Sequence, residues 1–303
     1  LIFRAVGETI GVMAKFATLT QDQTRSIKLL GLPLVYALLL LAVPLGAIVL
    51  FSFWTQDFMT VDTTFTTANY REIYDSPIYG LLLQRSLMVS GIVTAVTVLL
   101  AYPVAYFISF HVHPSKKSIW LFLITIPFWT SYLIRVFLWK VILGYNGVIN
   151  SGLLQLGIID EPLTFILYNV NAVIITLAHA FAPFAILPIF VVLEKIDRSL
   201  LEASQDLGES KFSTFLRVTL PLSMPGVVGA VLIVFIPTIG DYVTPELMGG
   251  ASGKLIANMI QTQFLQLNNA PLGAALAIVA MLCVTAISLI FVFLNRKYLR
   301  GRT

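Results

Sequence analysis

Two acids set in an apolar stretch have the most chemistry to offer. Asp241 and Glu246 lie within IPTIGDYVTPE, at 236–246, directly after a run of apolar residues. A carboxylate held at membrane depth costs about 2.5–3.5 kcal/mol on insertion scales, so it meets a cation or a water-filled path. Three partners compete for Asp241. A cationic solute would be held by Asp241 and Glu246 through ion pairing and by neighbouring aromatics, Tyr242 among them, through cation–π contact. Arg135, some 17 residues into another apolar run of the same direction, reaches comparable depth at about 1.5 Å of helix rise per residue. Water is the third partner, if Asp241 opens on the outer mouth. Around Arg135 the spacing builds an aromatic wall. On one continuous helix Trp129, Tyr132, Arg135 and Trp139 share a face at i, i+3, i+6 and i+10. Helix packing or an interfacial belt accounts equally well for Trp139 and Tyr145.

A second concentration of polar chemistry is the stretch EKIDRSLLEASQDLGESKFSTFLRVTLPLSMPG, from Glu194 to Gly226. Leu200, Ala203 and Leu207 recur at i, i+3 and i+7 and predict one apolar helix face, with Glu202, Gln205 and Asp206 on the others. Gly208 stands where a C′ glycine reverses the chain through a left-handed backbone. Ser210 is placed to cap a second short helix with Phe212, Phe215 and Leu216 on its apolar side. Pro221 and Pro225 mark entry into the next apolar run. Such an island either docks a water-phase partner or lies on the membrane surface.

Other chemistries are poorly supplied. Cys283 is the single cysteine, so an intrachain disulfide and a thiolate metal cage are excluded. His111 and His113 form an H-x-H beside Pro114 and lack the further ligands a metal needs. No basic and aromatic patch of the kind nucleic acid requires sits in a water-phase segment. The nearest approach to a phosphate-binding loop, 248–255, lacks its first glycine and its final hydroxyl.

The elements that must carry these residues are membrane helices. The 303-residue chain is 58% hydrophobic and 11% charged, against about 25% charged in soluble domains. Six apolar runs are long enough to cross the bilayer, near 29–53, 82–110, 118–143, 170–192, 224–246 and 273–294. The first is too long, and lacks the small-residue cleavage pattern, for a removable leader. Fourteen of the 19 Lys and Arg residues fall in an N-terminal arm (1–28), the 111–117 loop, the polar island and a basic tail (296–303). By the positive-inside rule these segments, and both termini, are cytoplasmic. The first external loop carries Asp57, Asp62, Glu72 and Asp75, the second predicts a short helix over 148–156, and the third reads as glycine-rich and then polar. Prolines 44, 103, 127, 183, 188 and 237 interrupt the spans. Pro237 stands apart because Gly240 and Asp241 follow it.

The island also carries a resemblance. Glu202, Ala203 and Ser204, Gly208 five residues after Ala203, and Leu220-Pro221 beyond resemble the EAA loop of ABC importer permeases, with Ser204 where a second alanine is usual. The stretch PFWTSYLIR (127–135), EKID (194–197) and LMGG (247–250) resemble spermidine/putrescine-type permeases, specifically the first of their two permease subunits; the similarity covers about residues 30–300. This implies an all-α, six-helix, MetI-like type I importer fold over 29–295 in a bacterial inner membrane. The chain would be a transport subunit, not an enzyme, and hold no cofactor. ATP and Mg would be bound by two separate ATPase subunits, into which the loop 194–223 docks through Glu202, Ala203, Ser204, Leu207, Gly208, Leu220 and Pro221. A second permease, an external substrate-binding protein and lipid complete the expected partners, and alternating access is the expected mechanism. The expected solute is a polyamine or related small cation, met by Asp241, Tyr242, Glu246, Trp129, Tyr132 and Arg135. An opine, an amino-acid derivative or an anion is the alternative cargo. An ion-coupled secondary carrier is the rival class, and would show inverted repeats that the chain lacks.

Overall fold

A computed structural model describes residues 31–299, apart from Leu32 and Met59; the arm expected over 1–28 and residues 300–303 lie outside the described part. The chain opens with α1 (Pro33–Phe51), exposed along almost its whole length. A small antiparallel hairpin follows, β1 (Thr55–Asp57) and β2 (Thr60–Asp62), with Thr55 opposite Asp62. Next come α2 (Ala68–Asp75) and the long α3 (Pro77–Phe110). Asn69 of α2 donates to the Ser52 and Trp54 carbonyls at 2.9 and 2.7 Å, which fixes the C-terminal end of α1.

The third apolar run does not form the straight helix expected over 118–143. It consists of α4 (Pro114–Thr125), a 3₁₀ turn (Ile126–Trp129) and α5 (Tyr132–Ile142), bent by 90° at the break. Thr130 and Ser131 are extended, with ψ of 147° and 139°, and the Thr130 hydroxyl donates to the Pro127 carbonyl at 2.8 Å. Pro127 supplies no backbone donor, and a hydroxyl bonded to the local backbone competes with the helix. The short helix expected over 148–156 is present as α6 (Val148–Gln155).

The fourth run is α7 (Val170–Glu194), followed by the island helix α8 (Arg198–Asp206). The island's second helix is not separate from the fifth span. The helix α9 (Lys211–Thr214), a π turn (Phe215–Thr219) and α10 (Leu220–Ile239) run on as one 29-residue helix. It also stops earlier than expected, at Gly240 rather than near 246, and α11 (Val243–Met248) starts afresh. The glycine-rich stretch expected as a loop contains a helix the sequence did not announce, α12 (Ile256–Leu265); α13 (Ala270–Leu294) and α14 (Arg296–Leu299) complete the described chain. Among the described residues, five helices are long and apolar enough to cross a membrane, six with the bent pair taken as one span.

Helices α3, α7 and α10 pack against one another to form the core. Small buried residues at their contacts, Ala101, Ala105, Ala180, Ala185 and Ala230, let the backbones approach closely, as membrane helix pairs require. Gly226 marks the tightest approach. A Cβ there would stand 2.8 Å from the Pro188 carbonyl of α7.

Candidate solute path and coupling loop

The break between α10 and α11 gathers side chains from four elements. The Asp241 carboxylate accepts from the Val243 amide at 3.1 Å and from the Tyr132 hydroxyl of α5 at 2.8 Å. That hydroxyl also lies 2.7 Å from the Thr244 hydroxyl. On the next turn Asn258 of α12 donates to the Tyr242 carbonyl at 2.9 Å and to Glu246 at 3.2 Å. The Ser86 hydroxyl of α3 accepts from the Ile256 amide at 2.8 Å and ties α12 in place. Pro237 and Gly240 end the helix where these partners receive its freed groups. Unwound backbone within a membrane is tolerated under just this condition.

Of the three partners open to Asp241, Arg135 does not pair with it: no Arg135–Asp241 ion pair forms among the described residues. Tyr132 occupies the carboxylate, and Arg135 stands behind it. The guanidinium lies 5.7 Å from the centre of the Phe128 ring and 6.0 Å from that of Tyr132, with long 3.5 Å contacts to the Ala180 and Thr130 carbonyls. Arg135 is only 9% exposed, and its Nε has no partner among the described residues. The 90° bend before α5 re-aims the Arg135 side chain.

The same bend removes Trp129 from the wall. Trp129 ends the 3₁₀ turn, 73% exposed and edge-on to Phe122, so it shares no helix face with Tyr132. Trp139 turns inward and donates to His179 Nδ1 at 3.1 Å; no motif or spacing had marked His179. Tyr242 is 44% exposed on the far side of the break, facing an apolar groove of about 750 Å³ between α10, α12 and α13.

At the other end of the long helix the island folds by local rules. Asp197 caps α8, its carboxylate accepting from the Ser199 amide at 3.0 Å. That bond from the Ser199 amide holds the Asp197 carboxyl below the usual aspartate value. Gly208 adopts φ +88°. Around it the Gly208 amide donates to the Gln205 carbonyl at 2.9 Å and the Glu209 amide to Ser204 at 3.2 Å, the paired bonds of a Schellman turn. Ser210 caps α9 by accepting from the Ser213 amide at 3.2 Å. Glu209, paired with Arg217, has its carboxyl lowered first by the Ser213 hydroxyl.

The face of α8 bearing Leu200, Ala203 and Leu207 turns away from the molecule; Leu207 is 86% exposed and Phe212 of α9 is 71% exposed. Glu202 and Pro221 are also exposed, while Leu220 is half-buried. Phe215, expected beside Phe212 on one apolar side, instead packs edge-on to Tyr102 and Tyr106 of α3, 5.8 Å from each. Ser204, the departure from the usual alanine, points inward, its hydroxyl 3.0 Å from that of Thr214. It clamps the two island helices together.

Residues 98–300 match the family of binding-protein-dependent transport system inner membrane components. This chain belongs to that family, as the permease subunit of an ABC importer. The permease is 40% identical over 237 residues to the spermidine/putrescine transport system permease protein PotB of Haemophilus influenzae, covering 78% of this chain and 81% of the relative. It is 39% identical over 241 residues to the PotB of Escherichia coli, covering 79% and 86%. The inner membrane ABC transporter permease protein YdcU of Escherichia coli is 32% identical over 254 residues, covering 79% and 80%. Among solved structures, a bacterial ABC transporter that imports the acidic polysaccharide alginate matches with TM-score 0.69, covering 94% of the permease and 99% of that chain at 18% identity. That likeness establishes the fold.

Of the residues singled out in the sequence of the permease, Tyr132 and Asp241 meet directly. Glu246 and the Tyr242 carbonyl meet each other through Asn258, Arg135 stands one ring away from Asp241, and Trp129 stays outside. Thr244, Asn258 and Ser86 carry no charge, and nothing in their spacing distinguished them from ordinary polar residues.

Proposed function

We propose that this permease forms a path for a polyamine, or a closely related small organic cation, with Asp241 and Glu246 as its cation-facing carboxylates. The similarity to the two PotB proteins over about four-fifths of each chain carries the reading. The geometry supports it. Asp241 is held by a tyrosine hydroxyl and an amide rather than neutralised by Arg135, so its charge remains available to a solute. A separate ATPase powers the cycle through the island. The outward face of Leu200, Ala203 and Leu207, with Glu202 beside it and Gly208 turning the chain, is the docking surface; Ser204, Leu220 and Pro221 shape it. A second permease and an external binding protein complete the importer. Exposed α1 and the outer face of α13 meet lipid and the second permease. The clustering of basic residues favours a cytoplasmic island and cytoplasmic termini.

Uptake of radiolabelled spermidine by the importer, with its own binding protein, tests the path. Asp241→Asn is expected to lower uptake at low solute concentration about tenfold, the effect of losing one charged contact. Unchanged uptake would remove Asp241 from the path. An anionic solute is the second reading, favoured by the buried guanidinium of Arg135; transport of an anion but not of spermidine would establish it.

A further inference from the structure

Where α3, α4, α7 and α8 converge on the cytoplasmic side, two charges stand at the wrong ends of their helices. Glu194 is the last residue of α7, where the helix dipole disfavours an acid. Lys117 lies in the first turn or so of α4, where it disfavours a base. Each is matched by the other. Lys117 Nζ donates to both Glu194 oxygens at 2.7 Å and to the Ser109 carbonyl at 2.9 Å, with its side chain only 12% exposed. The Ser109 hydroxyl donates to Glu194 at 3.1 Å. The Ser109 carbonyl, in the last turn of α3, also accepts from Arg198 at 2.6 Å. Arg198 is the first residue of α8, and its guanidinium lies 4.1 Å from the centre of the Phe110 ring.

With Lys117 12% and Glu194 40% exposed, the pair is largely withdrawn from water, and its attraction is offset by the cost of desolvating both charges; neither charge suits its own helix. The arrangement is therefore poorly explained as a fold stabiliser. What it does is fasten the start of α8 to the ends of three membrane helices through one shared carbonyl and one carboxylate. We propose that Lys117 and Glu194, with Arg198 on the Ser109 carbonyl, form the joint that carries movement of α8 into α3, α4 and α7. They are positioning residues for coupled transport. This rests on the reading that α8 docks on the ATPase.

The test uses the complete importer in liposomes, with its ATPase, second permease and binding protein, and reads solute transported per ATP hydrolysed. Glu194→Gln and Lys117→Met are expected to lower that ratio about tenfold, within the usual range of a coupling between sites, while the ATPase still copurifies. The conservative variant Lys117→Arg keeps a cation that donates to both the Glu194 carboxylate and the Ser109 carbonyl, so it is expected to keep the ratio near the wild-type value. A normal ratio in Glu194→Gln or Lys117→Met, or a ratio in an assembled Lys117→Arg variant as low as in Lys117→Met, overturns the joint. Failure of the wild-type permease to hold the ATPase overturns the docking reading first, and the joint falls with it.

Discussion

The two ends of the 29-residue helix from Lys211 to Ile239 are built on different principles. At the island end, Asp197, Gly208 and Ser210 act on neighbours at most a few residues away. At the other end, Asp241 depends on a hydroxyl from Tyr132, 109 residues distant in sequence, and Tyr242 and Glu246 on Asn258. The turns and caps of the first region are fixed by contacts between near neighbours in sequence. The second exists only once α5, α10, α11 and α12 have found one another. Function would therefore tolerate change differently at the two ends: the island through its backbone, the break through its side chains.

The strongest break in that comparison comes from Gly208. Gly208→Val forces a β-branched residue into φ +88°, at a cost of roughly 1–2 kcal/mol. Nothing packs within 4 Å of the added Cβ, so the effect would be on backbone alone. Loss of uptake together with loss of ATPase copurification is expected; normal uptake would detach the turn from coupling. Tyr132→Phe sharpens the other side. It removes the hydroxyl from Asp241 and keeps the ring near Arg135, and uptake is expected to fall about fivefold, less than in Asp241→Asn. Ser204→Ala deletes the bond to Thr214 and gives the family's usual residue; hydrogen exchange across 198–206 should rise while uptake changes less than about twofold, since one such bond contributes about 1 kcal/mol. The smallest effect concerns pH. The Asp197 carboxyl is lowered in the folded protein, so the support it gives α8 is fully present above the ordinary value near 3.8 and is lost as pH falls below it. Exchange at the Ser199 amide should accelerate over that acid range, and Asp197→Asn should flatten the dependence.

How far the sequence could be read follows the same division. Hydropathy located the membrane helices because each is a long apolar run, and the island's turn and second cap are visible because glycine and serine act where they stand. The break in the third span was not visible. Pro127 warned of a kink, but the extended pair Thr130 and Ser131 turned a kink into a right angle. With it went the shared face of Trp129 and Tyr132 and the ion pair of Arg135 with Asp241. The hairpin around 55–62 escaped notice because its strands are three residues long, too short to alternate. The α12 helix hid behind Gly249, Gly250 and Gly253, which read as an open loop. The π turn at Phe215–Thr219 has no sequence signature, yet it is what lets the island's second helix run on into the fifth span.

That continuity makes the helix a lever. It is about 43 Å long at 1.5 Å per residue, with the Gly208 turn at one end and the Asp241 break at the other. Gly226, near its middle, is pressed against α7 at the Pro188 carbonyl and supplies the fulcrum. A tilt of about 5° about that point would swing each end by roughly 2 Å, in opposite directions. A shift of the island would thus be met by an opposite shift at Asp241, across its 2.8 Å contact with Tyr132.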